Sequence, residues 1–297
     1  MPAVTIANTF GALEIGSSVA VFLYGIVTLQ CHLYFARFSD DRPVFKILIA
    51  SIWLLETGHT IAMLYEVYIT TIILWGQTTF VVKFPAVGVV IILGGMITTL
   101  VQTFFSYRLF VVLPKPYNSI GIVTALTAFA RCIMSTYGGI KEIIVPTYVD
   151  YVKDVKSVIM AVMCMGAAVD VIIAMALMYF LLQKRDKTMI RSVRLIDRLL
   201  GFTIRTGLIT SMTAVLVVII YFARPNDLIY LAVYMSLAKL YTNSLLSSLN
   251  ARKSLRDELS KSVSVEVPRI TTSSRAAFNN PISIEMKTVT EYQGDKF

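Results

Sequence analysis

The chain is poor in charge, histidine and cysteine, and it has no proline inside its apolar runs. Of its 297 residues only 15% are charged, 56% are hydrophobic, and mean hydropathy is +0.72. A soluble protein of this size can bury a core but cannot hide that much apolar sequence. The composition therefore excludes a soluble class and implies an all-α, polytopic membrane protein. Segments of about ten alternating residues are also missing, which excludes a transmembrane barrel. Two histidines, His32 and His59, are too few for a zinc hydrolase of seven-helix type, which needs about three protein ligands. No Gly-x-Ser-x-Gly elbow and no His-Glu-x-x-His occurs. Neither enzyme activity nor a cofactor is expected. Cys31, Cys132 and Cys164 all fall inside apolar runs, so neither a disulfide framework nor a metal site follows from them. There is no Asn-x-Ser/Thr sequon to mark an external loop, and no basic stretch ahead of the first apolar run to suggest a signal peptide. All nine prolines lie outside span interiors, so the proline hinges that many receptors and carriers use are absent.

What the chain does have is seven apolar runs, each long enough to cross a bilayer. They cover roughly residues 10–35, 47–74, 86–113, 120–140, 157–183, 199–223 and 228–250. A short tail, 1–9, precedes them. Residues 251–261, with Leu255 and Leu259 spaced by four, suit a short interfacial amphipathic helix. From 262 to 297 the chain is polar, Ser/Thr-rich and unpatterned, as a disordered tail would be.

Net charge is +9, and its distribution decides its meaning. The N-terminal tail and the second, fourth and sixth links carry five basic residues. The other three links carry eleven and the C-terminal tail eight more. Lys and Arg collect on the cytoplasmic side, so the N-terminus is expected outside and the C-terminus in the cytoplasm. No basic patch interleaved with aromatics is present, so nucleic acid is not an expected partner.

Within the apolar runs lie ionisable groups that are expensive in lipid: Glu56 and His59 in the second span, Arg131 in the fourth, Asp170 in the fifth and Lys239 in the seventh. Counted from the helix ends they share one depth, so they are expected to meet in the bundle interior. Asn243 belongs to the polar cluster that follows Lys239 and joins the candidate ligand-binding set. Two readings fit these residues. They tie helices together as buried polar glue, or they form a ligand, ion or proton site. A lysine at the middle of a seventh span also suits a retinal Schiff base. Against that, the third span offers no carboxylate counter-ion, and neither Trp53 nor Trp75 lies where it would wall a polyene.

Several stretches carry a resemblance. Trp53-Leu-Leu-Glu56-Thr-Gly-His59, Gln102-Thr-Phe-Phe-Ser-Tyr-Arg108, Thr206-Gly-Leu-Ile-Thr-Ser211 and, most specifically, Lys239-Leu-Tyr-Thr-Asn-Ser-Leu-Leu-Ser-Ser-Leu-Asn-Ala-Arg252 stand in the sequence. Together they resemble a large uncharacterised family of fungal seven-helix membrane proteins, common in mushroom-forming fungi. Glu56 stands where that family more often has Asp, and Arg205 stands in a stretch usually less charged. The resemblance implies the seven-span topology and no particular activity.

The link 184–198 has its own pattern. Lys187, Arg191, Arg194 and Arg198 are spaced four, three and four, one face of a helix, with Met189, Val193, Ile196 and Leu200 on another. Anionic lipid is the expected partner, at about 1 kcal/mol per basic residue near the surface. A cytoplasmic signalling partner is the alternative. Taken together, the expectation is a multi-pass protein of the plasma membrane or an endomembrane, acting as a receptor-like sensor of an unknown ligand. A small-solute or ion transporter and a purely structural membrane protein are the alternatives. Against a receptor, no Asp-Arg-Tyr closes the third span and no Asn-Pro-x-x-Tyr the seventh.

Overall fold

Proline, charge and capping residues punctuate an otherwise continuous helical chain. The computed structural model describes residues 7–74, 84–185, 191–224 and 227–264, and all regular structure among them is helical. The helices are α1 (Ala12–Arg37), α2 (Pro43–Tyr68), α3 (Pro85–Val112), α4 (Ser119–Ile144), α5 (Tyr148–Arg185), α6 (Arg191–Ala223) and α7 (Ile229–Ser264). Short π-helical stretches, Ala7–Gly11 and Ile69–Ile73, lead into α1 and out of α2. Pro43 and Pro85 open α2 and α3, where a missing N–H costs nothing. Buried Glu66 reaches from α2 to accept the Ala86 N–H at 2.9 Å, satisfying an orphan donor at the start of α3.

Five helices are long and apolar enough to cross a membrane: Asn8–Arg37, Pro43–Ile73, Ala86–Val112, Ser119–Ile144 and Lys153–Phe180. The chain is thus built as a multi-pass membrane protein. α6 adds a shorter apolar stretch, Gly207–Ala223. Lys239 and the hydroxyls and amides that follow it dilute α7's hydropathy. Yet Leu231, Met235, Lys239, Thr242, Leu245 and Leu249 are all buried, so α7 is an interior helix.

One boundary differs from expectation. The link expected over 141–156 shrinks to Val145–Thr147, because Thr147 caps α5. Its Oγ1 accepts the Asp150 N–H at 3.2 Å and donates to Asp150 Oδ2 at 2.5 Å, a reciprocal cap that lets the charged stretch 150–156 stay helical. Residues 251–261, expected as a short interfacial helix, are helical and run on from α7 to Ser264. The tails 1–6 and 265–297 lie outside the described residues.

The helices pack in chain order around a ring that α7 closes against α1, with α3 and α7 also touching inside it. Polarity is inverted relative to a soluble bundle. Ile122, Leu126, Phe129, Ile133, Tyr137, Ile140 and Ile144 form one outward stripe on α4, and Ile133 is 72% exposed while Arg131 is only 6% exposed. Comparable stripes on α1, α2 and α6 make an apolar exterior larger than water tolerates. Inside are two apolar layers. One, toward the N-terminal end, holds Leu13, Met63, Val90, Tyr151, Tyr230 and Met235. The other holds Tyr34, Ile49, Phe105, Leu177, Leu245 and Leu249. On α2, α3 and α7 the change of layer falls at polar residues: Glu56 and His59, Thr98 and Thr99, and Ser236.

Small residues set the closest approaches. A Cβ on Gly16 would sit 2.7 Å from the carbonyl oxygen of Ala232, and one on Gly88 would sit 2.5 Å from that of Gly139. Backbone blocks both positions, so α1–α7 and α3–α4 must separate to admit a methyl. Gly16→Ala and Gly88→Ala are expected to destabilise by about 1–3 kcal/mol. Gly25→Ala and Gly207→Ala, where nothing lies within 4 Å, should be neutral. Thermal unfolding of the four variants in one detergent checks the contrast.

At the end of the bundle that bears the basic links, the α1–α2 connection is pinned to α7. Asp41 Oδ2 accepts from Arg252 at 2.6 Å and from the Tyr34 hydroxyl at 2.7 Å. The Arg252 guanidinium lies 5.0 Å from the Phe38 ring centre and 5.3 Å from that of Phe45. Partial burial opposes ionisation of Asp41, but the Tyr34 and Arg252 hydrogen bonds and the guanidinium charge outweigh it. Its carboxyl is held below the ordinary 3.8. A lowered carboxyl contributes stability above its unfolded value and loses it as pH falls through the folded one. The latch therefore holds through neutral pH and opens only in strong acid. Asp41→Asn should speed amide exchange over 38–45 at pH 7 with a global cost within about 1 kcal/mol. Unchanged exchange would show that the latch does not order this link.

Candidate functional site

The innermost charges are on α2 and α7. Glu56 and His59, one turn apart, share a face of α2, and both are fully buried. Lys239 of α7, also 0% exposed, donates to Glu56 Oε2 at 2.7 Å and to His59 Nδ1 at 2.7 Å. Thr242, a turn further along α7, donates to Glu56 Oε1 at 2.6 Å. An ammonium has no lone pair to offer, so Nδ1 accepts and the ring proton sits on Nε2. That Nε2 is buried with no partner and faces Gly94 of α3, where a Cβ would stand 3.4 Å from it. The group is compact and satisfied on its charged atoms, as a buried ion pair must be to offset desolvation.

A second group forms where α3, α4, α5 and α7 meet. Asp170 accepts from Gln102 Nε2 at 2.8 Å and from the Tyr241 hydroxyl. Arg131 donates through Nη2 to Thr98 Oγ1. Its Nη1 lies 2.6 Å from where a Cβ of Gly166 would stand, so α5 needs glycine there to let the guanidinium pass. Arg131 makes no direct ion pair with Asp170, although its charge reaches that carboxylate through space. Its Nε is buried and has no hydrogen-bond partner.

The six expected site residues are thus divided three ways. Glu56, His59 and Lys239 come together. Arg131 and Asp170 form a separate neighbouring group. Asn243 joins neither: its Nδ2 donates to the Leu23 carbonyl of α1 at 3.2 Å. One residue advances a helix by about 100°, which turns Asn243 away from the face that Thr242 presents to α2.

A partly enclosed cavity of about 50 Å³ lies between α3, α4, α5 and α7, toward the N-terminal end of the bundle. Val87, Val158 and Ile159 supply apolar wall, and Ser135, Tyr151, Tyr230 and Tyr234 the polar atoms. Val162, Met163 and Tyr234 also line a smaller space of about 10 Å³, bordered in addition by Arg131, Gly166, Tyr241 and, from α6, Ala214 and Val217. Of the expected residues only Arg131 borders either of these two spaces. Lys239, Glu56 and His59 border neither.

The partners Thr98, Tyr241 and Thr242 and the cavity tyrosines were not among the expected site residues. Tyr241 and Thr242 had a signal, since they directly follow Lys239. Tyr151 had none, because it falls where the charges of 150–156 suggest a loop. Residues 191–198 are helical, as the first turns of α6, but Lys187 and the side chains of Arg191, Arg194 and Arg198 lie outside the described residues, so their contact with lipid rests on sequence alone.

Removing one member of the buried pair should cost about 3–5 kcal/mol, because the other is left charged without a partner. Lys239→Met and Glu56→Met are each expected to lower folded yield and thermal midpoint sharply. The double variant Lys239→Met/Glu56→Met should recover much of the loss. Size-exclusion profiles and unfolding curves of the cycle measure the coupling, and additive losses would mean that the two residues act independently.

The Family of unknown function (DUF6534) matches residues 166–254 of the chain. That stretch runs from the middle of α5 through α6 to just past Arg252, and it supplies Asp170, Lys239, Tyr241 and Thr242, the α5 and α7 share of both polar groups. No curated protein and no solved structure matches the chain.

Proposed function

We propose that the protein crosses its membrane seven times, N-terminus outside and C-terminus in the cytoplasm, and acts as a receptor-like sensor of a small ligand. The orientation rests on the charge bias, eleven basic residues in one set of links against five in the other links and N-terminal tail. One observation carries the sensing role. Two adjoining spaces share Val162, Met163 and Tyr234: the larger is walled mainly by apolar residues of the N-terminal layer, and the smaller is bordered by the buried Arg131 guanidinium, the ingredients of a concave apolar site with a few convergent polar groups. This supports a ligand site bordered by α3, α4, α5 and α7, with α6 beside Arg131. The dry Lys239–Glu56–His59 group next to it serves as the fixed tie between α2 and α7.

A transporter needs a second route, out through the other end. Phe105, Leu109, Leu177, Leu245 and Leu249 fill that layer, all of them at most 7% exposed. This favours sensing over transport. A ligand at α5 and α7 would act on the basic end through the same two helices, since α5 leads into the 184–198 link and α7 carries Arg252.

Reconstitution into liposomes separates the readings. The expected result is no proton or potassium flux above that of empty vesicles. Cysteine labelling should place the 184–198 link on the cytoplasmic face in cells. A cytoplasmic protein should co-purify with the wild type, and neutralising Lys187, Arg191, Arg194 and Arg198 should release it. Flux above background would favour the transporter, and labelling of the link from outside would reverse the topology.

A further inference from the structure

Resting on the reading of the cavity as a ligand site, we propose that Arg131 anchors the carboxylate of a small, otherwise apolar molecule seated between α3, α4, α5 and α7. Among the described residues Arg131 is the sole charged residue lining either space, and no carboxylate lines them. An ammonium ligand would therefore meet a like charge at the floor, while an anion meets a counter-charge there. The guanidinium is not saturated. It spends Nη2 on the Thr98 hydroxyl and keeps Nε buried without an acceptor. Asp170, the natural internal partner, has its two oxygens engaged by Gln102 and Tyr241 and does not pair with Arg131 directly. A buried donor that nothing in the fold satisfies is a cost, which an incoming acceptor removes.

Size and shape restrict the rest of the ligand. A cavity of about 50 Å³ is smaller than the apolar cavities of about 150 Å³ that take benzene in other proteins. The space beside Arg131, about 10 Å³, is roughly what one water needs. A head group of two or three heavy atoms fits there only if Val162 or Met163 shifts, and methionine does so cheaply. The body left above the head is a short aliphatic chain, held by Val87, Val158 and Ile159 under the Tyr151 and Tyr230 rings. A long lipid chain does not fit, so the acid is water-soluble and comes from the N-terminal side. Tyr234 lines both spaces and sits where the chain meets the head.

The test uses the full-length protein in nanodiscs and three probes of one length: butanoate, 1-butanol and butylamine at neutral pH. Ligand-observed NMR and thermal shift measure binding. The expected result is butanoate bound about tenfold or more tighter than either neutral or cationic analogue, the usual advantage of a charge-assisted hydrogen bond. Arg131→Gln should erase that preference and bring acid and alcohol level. Val158→Phe, which fills the larger cavity and leaves Arg131 in place, should remove binding of both. If the wild type binds acid and alcohol equally, Arg131 is no anchor, and the cavity remains a ligand site of another class. If the wild type binds none of the three and Val158→Phe behaves identically, the cavity is not a site and both readings fail. The comparison on the wild type decides even if Arg131→Gln does not fold.

Discussion

An ammonium sealed inside a membrane bundle, 0% exposed, cannot stay charged without a counter-charge at contact distance, and this constraint organises the protein. Lys239 meets it with Glu56 and His59 at 2.7 Å each. Attraction between opposite charges grows as the dielectric falls, but so does the cost of taking both from water. The balance favours folding only in one register, in which α2 and α7 place these atoms opposite each other and Thr242 reaches the second carboxylate oxygen. A slip of one residue on either helix would turn a charge by about 100° and leave it in hydrocarbon. The pair thus acts as a register pin more than as a source of net stability.

α7 extends this logic to its whole circumference. Ser236 donates to the Gly16 carbonyl and Asn250 to that of Gln30, both on α1. Lys239 and Thr242 serve α2, Tyr241 serves Asp170 of α5, and Ser248 accepts from Arg108 of α3 at 2.7 Å. A helix that bonds to four neighbours has no lipid face to keep apolar. That is why the helix with the most polar sequence is among the most buried, and why the four that wear long exposed stripes, α1, α2, α4 and α6, are apolar outside.

How much of this the sequence revealed depends on what kind of signal each feature leaves. The helices were legible because an apolar run long enough to span is a property of local composition. The burial of Glu56, Arg131, Asp170 and Lys239 was legible too, since an ionisable group within an apolar run has to be covered by other helices. Partner choice was not. It depends on helix rotation, and nothing along the chain tells that Asp170 turns to Gln102 and Tyr241 while Arg131 turns to Thr98. Asn243 shows the same gap: four residues beyond Lys239 suggests the same face, yet its amide settles on Leu23 of α1. The Thr147–Asp150 cap was in principle readable from spacing. The charges around it masked it by resembling a loop.

The two buried cations then come apart on physical grounds that composition alone would never separate. Lys239 has a counter-charge in contact, no cavity beside it and a helix interface to hold. Arg131 has a hydroxyl, an unused Nε, a glycine on α5 that admits it and an open space at its flank. A guanidinium is planar and carries five donors, so one hydroxyl cannot satisfy it, whereas three donors on an ammonium are nearly used up by a carboxylate and an imidazole. The same bundle can therefore keep one cation as a fixed structural tie and leave the other with capacity to spare. It is that spare capacity, at the floor of a cavity, that separates a site from a staple.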